Sequence, residues 1–379
     1  MKLSKYFPVV LPLVVILLSV SCNRQPSFVK AMGFTPDDDT CYAKGVSGAY
    51  LGIVDGQIIL AGGANFPGEP ASTGGKKAYY DAVYAASAPS EEMLSKKGGL
   101  RRAGLHWRRA AVLPAPLAYG VAVSDSTGMY FVGGMNDEGS YGDAFRLYRD
   151  GHVLRLQALP SLPYDMDNMG GAMLDKWIYV VGGNRNGQPS SDMYSLDAAK
   201  SEWFACAPVP GAPRLQPVCA AANGYVYVWG GYCPASDSTA AFVHTDGWKY
   251  DLKTDSWTSV AAPVDETGAA VTLTGGCAAA LPDGSVLAAG GVDKDIFLAA
   301  IRGEYPSPEY LLHEPKWYRF NAAVYRFDPS TEEWSIVGRS ARTARAGASF
   351  LSLGSSGALL VGGETKPGIR SKDVSLIQF

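Results

Sequence analysis

Six times along this chain a short apolar run ends in a pair of glycines. Ile58 to Ala61 precedes Gly62-Gly63, Met129 to Val132 precedes Gly133-Gly134, and Ile178 to Val181 precedes Gly182-Gly183. Val226 to Trp229, Val286 to Ala289 and Ala358 to Val361 lead into Gly230-Gly231, Gly290-Gly291 and Gly362-Gly363. Before each run lies another apolar segment and a turn. In Val218 to Tyr227 the turn is Asn223-Gly224, a two-residue hairpin signal. After the doublets come segments bearing a tyrosine or neighbouring aromatic, such as Asp192 to Leu196, Gly247 to Asp251 and Ala323 to Asp328. A tryptophan then marks a fourth segment, at Trp107, Trp203, Trp257 and Trp334, while the second repeat uses Val153 to Leu156. The pattern predicts four antiparallel strands per repeat. Glycine pairs let backbones crowd where neighbouring units wedge together, and tryptophans fill the widening gap between them.

Successive doublets stand 48–72 residues apart, in the range of repeats that build one four-stranded blade each. The expected fold is therefore all-β: a six-bladed kelch-type β-propeller. The last repeat reaches only its third strand at Asp373 to Phe379, and Ser27 to Phe34 has no hairpin partner. That N-terminal segment is expected to close the ring as the outer strand of the last blade. Ala86 to Gly104 and Leu298 to Trp317 fall outside the repeat. They read as long loops with helical turns at Ser90 to Leu94 and Pro308 to Leu312, and insertions of this length are expected to rim the functional face. Composition agrees: 44 Gly, 24 Pro, 8 Trp, 21 Tyr and 13 Phe, with 18% charged residues, suit a turn-rich β protein and exclude disorder.

Residues 1–21 read differently. Lys2 and Lys5 precede the apolar run Val9 to Leu18, and Ser19-Val20-Ser21 are small residues before Cys22. This is the order of an export signal, and the box resembles that of bacterial lipoproteins, in which Cys22 is lipidated. The expected product is an exported, periplasmic protein, with residues 22–379 as a single propeller touching the membrane only through its lipid anchor. Cys41, Cys206, Cys219, Cys233 and Cys277 include no C-x-x-C pair, and His106, His152, His244 and His313 lack ligand spacing. No metal and no cofactor are expected. A net charge of −3 leaves no basic surplus for phosphate contacts, so nucleic acid is not an expected partner.

In such a ring, the residues after each doublet and those before each first strand share one face and circle the axis. The first set includes Glu364, Lys366 and Arg370, Asp293 and Asp295, Asn65 and Asn184; the second includes Arg214 and Arg345. One or two carboxylates among arginines in a concave mouth suit a small anionic ligand. Each has a structural alternative. On its residues alone Glu364 reads first as a solvated loop acid, the arginines also as ties between blades bonding loop carbonyls, and Asp293 and Asp295 as anchors for the loop that follows.

Gly362-Gly-Glu-Thr-Lys-Pro-Gly-Ile-Arg370 resembles the signature of bacterial sialic acid mutarotases (N-acetylneuraminate epimerases). Gly290 to Phe297, Phe327 to Trp334 and Gly211 to Arg214 are similar to further segments of that family. The signature sits in the last repeat rather than mid-chain, as in the cyclically permuted branch. A closed ring tolerates such reordering because each blade contacts only its neighbours. The resemblance implies an isomerase that interconverts the α- and β-anomers of N-acetylneuraminate, a small anionic sugar, without a cofactor, as a monomer or homodimer. By this resemblance Glu364 would be the proton acceptor, Arg370 a member of the same catalytic site and Arg214 a substrate contact; loop position adds Arg345, Asn65 and Asp293 as expected substrate contacts. The chain departs from the family at Leu117, where arginine is expected, and in the length of the Ala86 to Gly104 insertion. The competing reading is a non-catalytic kelch module that binds a glycan or a protein.

Overall fold

Tyr225 to Trp229 alternates large residues with valine, and the turn Asn223-Gly224 holds left-handed backbone at both positions, φ 50° and 81°. The hairpin forms accordingly. Val218–Ala222 pairs with Tyr225–Trp229, which pairs with Gly247–Asp251 and then Ser256–Val260, all antiparallel. The computed structural model describes residues 26–30, 39–95, 105–198, 200, 202–237, 239–306 and 308–378. Within them the same four-strand order recurs around a β-propeller. It runs from Tyr50–Val54 to Arg108–Val112, Val121–Asp125 to Val153–Leu159, Gly170–Leu174 to Glu202–Cys206, and Gly276–Ala280 to Glu333–Arg339. Four sheets are plain four-stranded units; the one holding Val121–Asp125 has seven strands and the one holding Ala346–Ser352 has five. The inner strands pack side by side in sequence, and Ala346–Ser352 meets Tyr50–Val54.

The N-terminal segment takes the outer place in the last sheet. Ser27–Lys30 pairs with Val374–Gln378, Phe28 opposite Ile377. Residues 31–34 of the expected strand, and the leader with Cys22, lie outside the described residues.

Packing between sheets follows the aromatic pattern. Trp229 stacks on Tyr227 with ring centres 5.4 Å apart and meets Phe327 and Trp334 edge-on at 5.0 Å. Trp203, Trp257 and Trp334 each donate an indole N–H to a carbonyl of the preceding sheet's exit: Pro160, Ala207 and Ala261. These rings therefore both fill the seam and hydrogen-bond a carbonyl there, and the Ala261 carbonyl also accepts from Trp229 Nε1 at 3.0 Å.

The insertions divide. Ala86 to Gly104 lies in sequence between the end of the third strand, Ala82–Ser87, and the fourth, Arg108–Val112, of the first sheet, and its described residues leave the third strand at the end opposite the mouth. Its Ala88 N–H donates to the Gly56 carbonyl in the far hairpin turn, and Leu94 packs into the core beside Leu353. These residues, 88–95, stand away from the mouth, contrary to the expectation for this insertion; residues 96–104 lie outside the described residues. Leu298 to Trp317 joins the second and third strands and does stand on the mouth face. Besides the short helix Glu309–Leu312, this region opens with a helix, Lys294–Ile301, that the repeat pattern hid.

Candidate functional site

At the entrance to each inner strand the chain turns through a residue with left-handed backbone. These are Gly48, Tyr119, Asn168, Gln216, Gly275 and Gly347, with φ between 51° and 67°. Their backbones form a closed circle of hydrogen bonds. Tyr119 N–H donates to Gly48, Asn168 to Tyr119, Gln216 to Asn168, Gly275 to Gln216, Gly347 to Gly275 and Gly48 back to Gly347, at 2.7–3.2 Å. Glycine adopts this conformation freely, but a side chain there costs about 1–3 kcal/mol and is retained only where its surroundings hold it. The three non-glycine members, Tyr119, Asn168 and Gln216, all project into one cavity of about 380 Å³. That is within the size range of small-molecule sites.

The first residues after the doublets form the next tier. Met135, Tyr232, Val292 and Glu364 line the same cavity, joined from loops by Phe66, Lys77, Phe297 and Arg370. Residues just after four of the doublets and at the entrance to inner strands do share this mouth, although most of the individual residues named for it from the sequence do not line it.

Glu364 and Arg370 face each other across a tight hairpin. Gly357–Lys366 turns through Pro367-Gly368 into Ile369–Arg370, placing Glu364 opposite Arg370 in register. Gly368 sits at φ 82° with Ala71 so close that a Cβ would lie 2.7 Å from its methyl. The turn thus requires glycine. Glu364 Oε2 accepts from Arg370 Nη1 and from the Gly368 N–H, the latter at 3.1 Å. Arg370 donates its Nε to the Ala64 carbonyl and its Nη2 to the Tyr119 hydroxyl, both at 3.3 Å, and lies 5.4 Å from the centre of the Phe66 ring. The arginine side chain is only 5% exposed, whereas the glutamate is 21% exposed. The glutamate is open to the cavity and the arginine is locked.

Tyr119 completes the row. Lys77 Nζ stands 5.3 Å from its ring centre. Burial alone would raise the phenol's pKa, but the charges of Arg370 and Lys77 and hydrogen bonds from Ser47 and Arg370 pull it below the ordinary tyrosine value. On the other side of the mouth runs a chain of amides. Buried Asp167 accepts from Asn168 Nδ2 at 2.6 Å and Asn184 Nδ2 at 2.9 Å, and Asn168 Oδ1 accepts from Gln216 Nε2 at 2.9 Å. The mouth is therefore polarised, with cations and a phenol facing amide groups.

The structure brings together Glu364 and Arg370 but takes the other expected ligand contacts elsewhere. Arg214 is fully buried in a seam between sheets, bonding both oxygens of Asp246 at 3.0 and 3.1 Å and the carbonyls of Gly230 and Pro210. Arg345 is 2% exposed and donates to the carbonyls of Arg342, Gly362, Asp373 and Leu360 and to Ser375. Burial pulls its guanidinium down to about 10. Both arginines tie blades, because each side chain enters the seam beneath a glycine doublet rather than the mouth. Asn65 is buried, donates to the Cys41 and Gly45 carbonyls and accepts from Tyr80. Asp293 caps the helix Lys294–Ile301, accepting from the Asp295 and Ile296 N–H groups, and pairs with Arg319 at 3.0 Å. Lys366 grips the insertion through the carbonyls of Leu311 and His313. No residue from this set other than Glu364 and Arg370 lines the cavity.

Tyr119, Lys77, Asn168 and Gln216 escaped the sequence reading. One signal was available: each of Tyr119, Asn168 and Gln216 holds the place that glycine takes at Gly48, Gly275 and Gly347, at the entrance to an inner strand. Lys77 lies in a segment with no repeat counterpart and carried no such mark. Among the described residues no three His, Cys, Asp or Glu side chains converge as a metal site, and Cys41, Cys206, Cys219, Cys233 and Cys277 are all unpaired thiols.

Comparison with known proteins points the same way. Residues 24–156 and 159–379 match the family model described as N-acetylneuraminate epimerase. Curated proteins of that name from Escherichia coli strain K12 and from Shigella flexneri are each 30% identical over 236 residues, which is 58% of this chain and 60% of theirs. The solved structure of YjhT is 29% identical with a TM-score of 0.50, covering 58% of this chain and 65% of that one. The chain thus spans about 60% of the length of the curated relatives it matches.

Proposed function

The chain belongs to the N-acetylneuraminate epimerase family, and from that premise we propose that it interconverts the α- and β-anomers of N-acetylneuraminate by acid–base ring opening. The observation that carries this is the Glu364 carboxylate, held by Arg370 and the Gly368 N–H and open to a cavity of sugar size. N-acetylneuraminate carries its carboxylate on the anomeric carbon. The Lys77 and Arg370 side of the mouth attracts that anion and brings the anomeric hydroxyl toward Glu364. Arg370 and the Gly368 N–H aim the Glu364 carboxylate, so it can accept the hydroxyl proton. The ring opens to the ketone, the exposed carbon turns, and reclosure gives the other anomer. Positioned acid–base groups supply about 10²–10⁴-fold, which suffices for a reaction that already proceeds in water.

We count six blades in the ring, supported by the hydrogen-bonded circle that takes one residue from the entrance to each inner strand. The protein acts after export, tethered through a lipidated Cys22; the charged, apolar, then small order of residues 2–22 supports this.

The test releases α-N-acetylneuraminate with a retaining sialidase and follows both anomers by proton NMR. Wild-type protein speeds equilibration, and Glu364→Gln slows it by about 10²–10⁴ while the sugar still binds. Binding without acceleration by the wild type supports the glycan-binding module instead.

A further inference from the structure

Ring opening of a cyclic hemiketal moves two protons. The anomeric hydroxyl loses one as the ring oxygen gains one, so a base alone leaves the leaving alkoxide unprotonated. We propose that Tyr119 is the acid of this reaction, giving its proton to the ring oxygen as the sugar opens and recovering it on reclosure. The assignment rests on the mutarotase reading above.

The cavity offers few other acids. Arg370 is engaged on three sides, by Glu364, Ala64 and Tyr119, so its N–H groups are already committed. Tyr232 also lines the mouth, but burial and the Asp167 charge raise its pKa, which makes it a poorer donor. The Tyr119 hydroxyl is placed differently. Its oxygen accepts from Arg370 Nη2 at 3.3 Å, which leaves its own proton for another acceptor. Its ring is clamped: a Cβ on Gly48 would lie 2.4 Å from the Tyr119 ring. Its backbone is held at φ 62° by the hydrogen-bonded circle, a conformation costly for tyrosine.

One guanidinium therefore bridges base and acid. In the forward step the anomeric O–H proton passes to Glu364 and the O–H electron pair becomes the C=O bond. The bond from carbon to ring oxygen breaks, and the oxygen takes its proton from Tyr119. Glu364 becomes neutral as Tyr119 becomes a phenolate, so the negative charge facing Arg370 is unchanged and little reorganisation is needed. Reclosure reverses each transfer on the other face of the carbonyl. The charges facing the phenol are Arg370 and Lys77, with Glu364 behind the arginine and the Ser47 and Tyr79 hydroxyls alongside. The cations favour the phenolate, so activity that needs the phenol is lost as pH rises, at a pH below the ordinary tyrosine value of about 10.

Tyr119→Phe keeps the ring and the fold of the mouth. It is expected to lower kcat by about 10²–10⁴ with little change in KM, and to remove the alkaline limb from the residual activity. Lys77→Met, with Tyr119 in place, moves that limb to higher pH. If wild-type protein leaves the anomers at their buffer rate, the mutarotase reading falls and takes this assignment with it. An active wild type whose Tyr119→Phe variant keeps its kcat and its alkaline limb overturns the acid assignment alone. So does a variant changed only in KM.

Discussion

Gly362 and Gly187 share a backbone conformation and differ in what surrounds them. Gly362 sits at φ 65° where a Cβ would lie 2.5 Å from the Val46 carbonyl oxygen; Gly187 sits at φ 78° with nothing within 4 Å. Replacing either by alanine places a side chain in left-handed backbone, at about 1–2 kcal/mol. Alanine also narrows the unfolded ensemble, which offsets about 0.4–1 kcal/mol. Gly187→Ala should therefore destabilise by about 1 kcal/mol or less. Gly362→Ala adds a collision with main chain that no rotamer can relieve, worth about 1–3 kcal/mol more, for a total near about 2–4 kcal/mol. The collision falls where the last sheet meets the first, beside the 2.8 Å bond from Gly363 N–H to the Val46 carbonyl. Urea unfolding followed by tryptophan fluorescence measures both losses from midpoints at equal slope. Equal destabilisation by the two variants would refute the argument, since conformation alone would then explain the doublets.

Arg345→Met removes the bonds to the Gly362 and Asp373 carbonyls and should cost about 2–4 kcal/mol in urea unfolding while leaving KM for the sugar nearly unchanged. A raised KM at unchanged stability would return Arg345 to the substrate. The Asp246 carboxyl is raised by burial but pulled well below the ordinary carboxylate range by hydrogen bonds from His244, Arg214 and Trp248. A depressed folded pKa contributes stability that is present above the ordinary value of about 4 and lost as pH falls below it. Acid unfolding should therefore be shallower in Asp246→Asn than in wild type, and parallel acid limbs would contradict the assignment.

Much of the fold was legible because a propeller repeats its demands. The doublets, the Asn223-Gly224 turn and the spaced tryptophans each answer a local requirement that recurs in every sheet, and Ser27–Lys30 completes the last one. The Glu364 and Arg370 pair was legible because both lie on one hairpin. Arg214 and Arg345 were misplaced at the mouth because loop position alone does not reveal side-chain direction. They occupy the seam level, two residues before the ring positions Gln216 and Gly347, where the chain still runs between sheets. The Ala86 to Gly104 insertion was assigned to the mouth by length, although a connection leaving the third strand starts at the opposite end, where its residues 88–95 lie. Tyr119 was overlooked for a related reason. What marks it is a backbone conformation shared with three glycines, and that emerges only when the inner strands are brought side by side.

The central claim is that this protein exchanges the two anomers of free N-acetylneuraminate. Exchange NMR on an equilibrated solution of the sugar, with protein present in trace amounts, reads that exchange without any coupled enzyme. The account predicts cross-peaks between the α- and β-anomer protons that grow with protein concentration and vanish in Glu364→Gln. Cross-peaks no stronger than in buffer, from folded wild-type protein at saturating sugar, would contradict it.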